Sequence, residues 1–349
     1  MKVLHIESGL GNQMLGYCEY LAIKKANPDD DCYIENVVYE IPECEKVISQ
    51  WNGYELESVF GITPSNIRDI FNKEEWKNIV QEISESEFWV KNWNYPVYIS
   101  RVLNAHGLNL KNIRGNFEDK AMIKKYRGKK SLRTKFVDTK VGNTIRRYLF
   151  EINRNRILKK YDEQSFLFLK TNDDLYTGQR LSFKYMNNGI EKIDEEIKNE
   201  FVFAPLKDDR NLKMLKMIQE TESVSIHARR GDMLKDNRYC YQYGYFKRAV
   251  NLIKSKISCP VFIFFCDPGS VNWCKINERV FGLDFSKDIV YFVEWNKGRN
   301  SYKDMQLMAQ CKHNIITNSS FGWWGSYLNA NPDKITISPE VFINTRYHI

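Results

Sequence analysis

The sequence predicts an α/β protein built on parallel sheets, and three observations lead to this prediction. From about residue 209 onward, short apolar runs alternate with helical stretches, as in sheets whose strands are joined by crossover helices. Near the start, the apolar run Val3–Ile6 leads through a glycine-containing turn into a helical stretch, which is the beginning of a βαβ unit. Polar and charged side chains follow the predicted strands, at the edge where open parallel sheets bind ligands.

The first part of the chain predicts one clear strand and helix and then a less regular region. The strand covers Val3–Ile6, the turn holds Gly9 and Gly11, and the helix runs from Asn12 to about Ala26. A further helix is expected over Lys73–Ile83, and residues 115–165 form a basic helical insert. Because Pro205 follows a charged amphipathic stretch, we expect domains at 1–204 and 205–349.

The second predicted domain has a regular order of elements. Its helices are expected over Asp209–Glu220, Tyr245–Lys256, Ser270–Val280, Ser301–Gln310 and Gly322–Asn329. Its strands are expected over Val224–Ala228, Pro260–Phe265, Ile289–Phe292, Asn314–Thr317 and Lys334–Ile337. Such an alternation predicts a parallel sheet that is covered on both faces.

Two adjacent arginines follow the first of these strands, in the run His227-Ala228-Arg229-Arg230-Gly231-Asp232. A guanidinium is always charged, and its planar fork of donors matches phosphate oxygens two at a time. The motif therefore favours a diphosphate ligand, with a solvated strand end as the alternative.

Two further motifs fall at predicted turns. Gly11, Asn12 and Gln13 open the first helix, where backbone amides favour an anion, although a plain tight turn is the alternative. Asn318, Ser319 and Ser320 precede a helix, so their hydroxyls and amides favour either capping of that helix or phosphate binding. Trp323 and Trp324 are expected in the core.

Composition narrows the class of protein. The chain has 349 residues, 43% of them hydrophobic, which is typical of a folded protein large enough for two domains. Its eight cysteines form no metal-binding spacing, so we expect reduced thiols and a cytoplasmic protein. The sequence predicts neither a signal peptide nor a membrane-spanning segment. The net charge of +8 is concentrated between Lys124 and Lys160, which indicates either a solvated helix face or peripheral contact with anionic lipids. Nucleic acid is a weaker candidate, because the aromatic side chains of this segment form no recognisable stacking motif.

Together the motifs closely resemble the bacterial α-1,2-fucosyltransferases of glycosyltransferase family 11. The matching runs are Gly9-Leu10-Gly11-Asn12-Gln13-Met14, His227-Ala228-Arg229-Arg230-Gly231-Asp232 and the stretch from Trp295-Asn296-Lys297-Gly298 to Trp323-Trp324-Gly325. Between about residues 25 and 222 the resemblance is faint and rests on Gln179. Ser8 and Cys266 depart from the family pattern, since glycine and an acidic residue are usual there.

The resemblance implies a GT-B-like architecture, two Rossmann-like domains facing across a cleft, and an inverting transfer of fucose from GDP-fucose to the 2-OH of a terminal β-galactoside. Such a reaction serves surface-polysaccharide or O-antigen synthesis, in which acceptors are also carried on lipid. The resemblance implies that the donor is held by Arg229, Arg230, His227, Asn318, Ser319 and Ser320. Asp267 would bind the guanine. From the opposite domain, Gly11, Asn12 and Gln13 would close over the phosphate or orient the acceptor. No Asp-x-Asp triplet follows a predicted strand, so we expect no cofactor and no metal.

Asp232 is our first choice for the base that deprotonates the acceptor, and it serves equally as a structural partner of an arginine. Asp236 and Glu7 are the reserves. Two other functions stay open: transfer of another GDP-sugar or to another acceptor position, and nucleotide-sugar binding without catalysis.

Overall fold

The computed structural model describes residues 1–46, 52–86, 95–113, 174–177 and 190–339, together with residues 141, 142, 145, 148, 149 and 152. The chain divides into two compact units. The first comprises Met1–Ser8, Gln13–Ile48 and Thr63–Ile197, and the second comprises Gly9–Asn12, Ser49–Ile62 and Lys198–Ile349. Gly9–Asn12 and Ser49–Ile62, which fall within the predicted domain 1–204, thus belong to the second unit.

The elements up to residue 200 begin with the predicted strand and helix. In chain order they are β1 (Lys2–His5), α1 (Leu10–Ala26), β2 (Cys32–Glu35), α2 (Leu56–Phe60), α3 (Lys73–Glu85), α4 (Tyr95–Ala105), β3 (Lys111–Ile113), β4 (Asp174–Thr177) and α5 (Ile190–Glu200). Helix α3 begins where Asn72 Oδ1 accepts a hydrogen bond from Glu75 N (2.9 Å), which is an ordinary N-cap.

The first unit contains a four-stranded parallel sheet in the order β2-β1-β4-β3. All four residues of β1 are buried, as expected for a strand covered on both faces. His5 of β1 pairs in register with Glu35 of β2, and each is the last residue of its strand.

The second unit continues with a regular series of elements. They are α6 (Asp209–Glu220), β5 (Ser223–Ala228), α7 (Leu234–Gln242), α8 (Tyr245–Lys256), β6 (Val261–Cys266), α9 (Val271–Ile276), α10 (Glu278–Phe281), β7 (Ile289–Val293), α11 (Tyr302–Gln310), β8 (His313–Ile315), α12 (Ser320–Tyr327) and β9 (Thr336–Ile337). Its five strands are all parallel, in the order β7-β6-β5-β8-β9, which is the Rossmann-like order.

Alternation along β5 separates the two faces of this sheet. Val224, Ile226 and Ala228 join a buried cluster with residues of α7 and α8. Ser225 lies on the other face, where its hydroxyl accepts from Asn314 Nδ2 (2.8 Å), and the same amide donates to the carbonyl of Met308 in α11 (2.9 Å). Helices therefore cover both faces, and the predicted α/β class, with one parallel sheet in each of two units, is confirmed.

Some predicted boundaries differ from the structure. The helix predicted over Ser270–Val280 is broken at Asn277, whose φ of −118° and ψ of 41° lie outside the helical region, so α9 and α10 are separate. Helix α12 ends before Asn329, because that side chain instead donates to Cys311 O (2.6 Å) and Asn314 Oδ1 (2.7 Å). Helix α7 was not predicted.

Within the described ranges, no helix combines the length and the apolar character needed to cross a membrane.

Candidate functional site

The polar residues of the second unit gather where β5, β6 and β8 end. These three strands are neighbours in the sheet, with β5 in the middle. Because they are parallel, the loops after Ala228, Cys266 and Ile315 lie at one edge of the sheet. The arginine turn, Asp267 and the run from Asn318 to Ser320 follow these strands, so the polar side chains expected after the strands lie at one edge, which is the candidate site.

Arg229 is held between two carboxylates. Its Nη1 donates to Asp267 Oδ1 (2.6 Å) and its Nη2 donates to Asp232 Oδ1 (2.8 Å). The Arg229 and Asp267 side chains are 14% and 6% exposed, whereas that of Asp232 is 35% exposed. The inner carboxylate therefore fixes the guanidinium, and the outer one lies towards solvent.

Arg230 uses its backbone and side chain in different ways. Its N–H donates to the second oxygen of Asp267 (2.6 Å), so one buried carboxylate orders both arginines. Its guanidinium carbon lies 3.5 Å from the ring centre of Trp273, a cation–π contact, and 5.4 Å from that of Tyr241. Gly231 completes the turn, where a Cβ would lie 3.3 Å from the Asp267 carboxylate.

Asn237 of α7 joins the first and last loops. Its Nδ2 donates to the carbonyls of Arg229 (3.1 Å) and Asn318 (3.2 Å), and its Oδ1 accepts from Asn318 N (2.8 Å). Thr317 adds a second link, since its hydroxyl donates to the His227 carbonyl (3.1 Å) and accepts from Arg229 N (3.3 Å). The arginine turn is therefore tied to the loop after β8.

His227 is a buried, neutral imidazole in this site. Burial, reinforced by the Arg229 charge, lowers its pKa to about 4, although the Asp267 charge opposes the shift. Its Nδ1 has no hydrogen-bond partner among the described residues. Helix α12 lies directly against the ring, because a Cβ on Gly322 would be only 2.2 Å from Nδ1.

The loop after β8 also presents polar atoms that the fold does not use. Ser319 occupies the N-cap position of α12, yet its side chain makes no capping hydrogen bond. Asn318 is buried, and its Oδ1 has no partner within the part of the chain that is described. Trp324 is fully buried, as predicted for a core residue, whereas Trp323, predicted with it, is only half-buried.

Gly11 and Asn12 contact α12 within the second unit, which differs from the expectation that this turn acts from the opposite domain. Ser320 Oγ donates to Asn12 Oδ1 (2.7 Å), and Trp324 Nε1 donates to the Gly11 carbonyl (2.9 Å). A Cβ at position 11 would lie 2.7 Å from Phe321 N, so only glycine permits this approach. Neither serine hydroxyl caps α12, since that of Ser320 is used on Asn12.

Glu55, which no sequence motif indicated, occupies the start of α1. Its Oε2 accepts from Leu10 N (3.2 Å) and its Oε1 from Asn52 Nδ2 (3.3 Å). Burial raises the pKa of Glu55 to about 7, although both hydrogen bonds oppose the shift. A side chain of the protein therefore takes up the first backbone amide of α1, next to the amides of Gly11, Asn12 and Gln13 that were expected to bind an anion.

The other predicted residues lie elsewhere. Gln13 belongs to the first unit, where its buried Nε2 donates to the Ser8 carbonyl (2.9 Å). Asp236 is in α7, but its side chain is outside what the structure describes, as are Gln179 and most of the basic segment 124–160. Within the described residues, no three His, Cys, Asp or Glu side chains cluster as a metal-ligand set.

A model of glycosyl transferase family 11 matches residues 129–348, which is more than half of the chain. The chain belongs to glycosyl transferase family 11. The family predicted from the three motifs is therefore confirmed, and the match includes the arginine turn and the loop after β8.

Three curated relatives of this family 11 chain come from bacteria and primates. An α-1,2-colitosyltransferase of Escherichia coli is 34% identical over 145 residues, which are 40% of this chain and 47% of that protein. The O-antigen biosynthesis glycosyltransferase WbnK of Escherichia coli is 31% identical over 153 residues, 42% of this chain and 46% of that protein. The galactoside α-(1,2)-fucosyltransferase 1 of Saimiri sciureus is 27% identical over 156 residues, 41% of this chain and 40% of that protein. The chain thus matches less than half the length of each.

Among solved structures, an Arabidopsis thaliana FUT1 mutant in complex with GDP is similar over 97% of this chain and 71% of that one, with 11% identity and a TM-score of 0.45.

Proposed function

We propose that this protein is an inverting glycosyltransferase that moves L-fucose from GDP-fucose to the 2-OH of a terminal β-galactoside in O-antigen or other surface-polysaccharide synthesis. The observation that carries the proposal is the Arg229 turn, ordered by buried Asp267 at the edge of a Rossmann-like sheet. A preorganised cation at this edge suits a nucleoside diphosphate. The galactoside and fucose come from the names of the relatives.

In the proposed reaction the acceptor oxygen attacks C1 of the sugar while the bond from C1 to the β-phosphate breaks. Negative charge grows on the leaving diphosphate. Arg229 and Arg230 stabilise that charge as fixed cations, together with the hydroxyl of Ser319. The Ser320 hydroxyl, also expected to bind phosphate, donates to Asn12 Oδ1 instead. Because these donors are held in place before the reaction, little reorganisation is needed as the bond breaks.

The nucleoside is assigned to the buried polar atoms beside the turn. Two of these atoms, His227 Nδ1 and Asn318 Oδ1, have no hydrogen-bond partner among the residues described. One is a ring nitrogen that can accept a hydrogen bond, and the other is an amide oxygen. Desolvated polar atoms without partners are costly unless a ligand pairs with them. Asp267 was expected to bind guanine; its contacts favour a role in positioning Arg229 and the Arg230 amide, and the guanine contact stays a prediction.

Asp232 is proposed to orient Arg229, the structural alternative considered for it above. Its carboxylate is paired with the guanidinium, and taking up a proton would give up that pair. Asp236 and Glu7 therefore remain the candidates for the base that deprotonates the acceptor.

We also propose that transfer requires no divalent metal, because the two guanidiniums supply the positive charge that the departing diphosphate needs. Turnover should then be unchanged in excess EDTA.

One alternative donor has specific support, because the colitosyltransferase is 34% identical over its matched region. The decisive experiment is a screen of purified protein with GDP-fucose, GDP-colitose, GDP-mannose and UDP-galactose on simple β-galactosides, with NMR of the product. An α-1,2-fucosylated galactoside supports the proposal. Exclusive use of another donor, or binding of GDP without any transfer, refutes it.

A cytoplasmic location with peripheral membrane contact is also proposed, since a lipid-linked acceptor would require it. Exposed apolar side chains recur at helical spacing in the basic segment, at Val141, Ile145, Tyr148, Leu149 and Ile152. The protein should co-sediment with phosphatidylglycerol vesicles and not with phosphatidylcholine vesicles, and Tyr148→Ser with Ile152→Ser should weaken that binding. Equal binding to both lipids would contradict the proposal.

A further inference from the structure

We infer that Trp273 is a positioning residue for Arg230. Its indole ring holds the guanidinium by one face, so that the N–H donors in the guanidinium plane remain available to the donor diphosphate, and Tyr241 supports the indole. This inference rests on the proposed function, because it concerns how the second arginine of the same diphosphate site is oriented.

The two arginines of the turn are held by different chemistry. Arg229 is paired with the carboxylates of Asp267 and Asp232, which offset its charge. Arg230 forms no ion pair with a carboxylate among the described residues. The protein therefore leaves the charge of Arg230 without a counter-charge, although the residue is half-buried. A cation held partly out of water in this way is costly unless a ligand supplies the negative charge, and a diphosphate does so.

The guanidinium of Arg230 lies flat on the Trp273 ring. Its central carbon is 3.5 Å from the ring centre, a distance that is reached only above the face of the ring. A guanidinium that pointed an N–H group at the ring would hold its carbon farther away. The N–H donors lie in the guanidinium plane, so they point along the ring and away from it. Stacking on the indole and hydrogen bonding to phosphate oxygens are therefore compatible.

The indole itself is anchored in the core of the second unit. Trp273 belongs to α9, and its ring meets that of Tyr241 in α7 edge to face, with centres 5.6 Å apart and an angle of 87°. Tyr241 packs on Phe246 (5.2 Å between ring centres) and Trp273 on Phe281 (6.3 Å), and both phenylalanines are fully buried. The indole cannot turn without displacing these rings, so it is a rigid support for the cation.

The Arg230 side chain is thus fixed at both ends before any ligand arrives. Asp267 accepts from its backbone N–H (2.6 Å), and Trp273 covers its guanidinium. An ordered side chain loses less conformational freedom when a ligand binds, which raises affinity. An aromatic face also holds the cation without neutralising it, whereas a carboxylate in that place would compete with the phosphate for the same donors.

The test replaces Trp273 site-specifically by mono-, di- and trifluorotryptophan. Fluorine draws electron density from the ring face and weakens the attraction for a cation, while the size of the ring changes little. The same series at Trp76, a half-buried residue of the first unit, is the control. Binding of GDP and of guanosine would be measured by calorimetric titration for each protein.

We expect the Kd for GDP to rise with each fluorine at position 273, by about tenfold over the series, which is the size of a partly desolvated cation–π contact. The Kd for guanosine should stay close to that of wild type, because guanosine has no phosphate for Arg230 to bind. The Trp76 series should not change either constant. In an Arg230→Gln background the fluorines at position 273 should have no effect on GDP binding. Trp273→Phe should keep more affinity than Trp273→Leu, provided that both unfold at similar temperatures.

Several results would overturn the inference. A Kd for GDP that does not depend on the number of fluorines excludes a cation–π support, and an effect that persists in Arg230→Gln excludes action through Arg230. Equal losses for GDP and guanosine would mean that the indole contacts the nucleoside instead. If the wild type binds no GDP, the proposed function and this inference fail together. A flat fluorine series in a protein that binds GDP tightly refutes only the role of Trp273.

Discussion

Gly322 allows α12 to lie against His227, and replacing it by alanine should disturb the nucleotide site directly. An added Cβ would be 2.2 Å from His227 Nδ1 and 2.9 Å from Cγ. Real Cβ contacts essentially never fall below 3.0 Å, so the ring and the helix must separate by at least 0.8 Å. Because His227 is buried, the ring has no open space into which it can move without displacing its neighbours.

The expected magnitude follows from this overlap. Overpacking of a tightly packed interior costs about 1 to 3 kcal/mol. At roughly 2 to 4 °C per kcal/mol for a protein unit of this size, the Tm of Gly322→Ala should fall by several degrees. If His227 contacts the nucleotide, GDP binding should weaken at least tenfold, which corresponds to about 1.4 kcal/mol.

Gly269 provides a matched control, since a Cβ there meets nothing within 4 Å. Both alanine variants would be studied by calorimetric titration with GDP and by thermal unfolding. We expect Gly269→Ala to match wild type in both measurements. A Gly322→Ala variant that is destabilised yet binds GDP normally would refute the nucleotide contact of His227, and one that is unchanged in both would refute the packing itself.

Three further predictions concern the arginine turn, Glu55 and Ser8. Arg229→Lys keeps the charge but loses the planar fork that pairs with Asp267 and Asp232, so kcat should fall about 100-fold or more in a transfer assay, and near-normal turnover would exclude a bidentate role. Burial raises the pKa of Glu55 from 4.5 to about 7, so the folded state holds its proton more tightly than the unfolded state, and stability falls as the pH rises from about 4.5 to 7. Glu55→Gln should therefore raise the unfolding free energy in urea by roughly 3 kcal/mol at pH 8 and change it little at pH 4. Equal effects at both pH values would contradict this assignment. Ser8→Gly relieves a positive φ and should raise the unfolding free energy by up to about 1 kcal/mol in the same assay, whereas destabilisation would mean that the hydroxyl matters more than the backbone.

The parts of the fold that sequence could predict depend on local patterns. The strand predicted at Val224–Ala228 is β5, and the Arg229 turn follows it. Both could be predicted because an apolar run and the charged residues that end it are visible in the sequence. The convergence with the loop after β8 could also be predicted, since parallel strands present their carboxyl ends at one edge.

The remaining features depend on contacts between residues far apart in the chain. Glu55 meets Leu10 across 45 positions, and Trp324 meets Gly11 across 313. Asn237 links two loops although nothing around it in the sequence resembles a motif. The stacking of Arg230 on Trp273 likewise depends on where helix α9 packs, and no local pattern of apolar residues in the sequence predicts that position.

The central claim, that the Arg229 turn binds the donor diphosphate, is tested most directly by a crystal structure of the protein with GDP. The account predicts β-phosphate oxygens within about 3.2 Å of the Arg229 guanidinium nitrogens, with Asp267 still holding that side chain. GDP bound away from the edge formed by β5, β6 and β8 would contradict it.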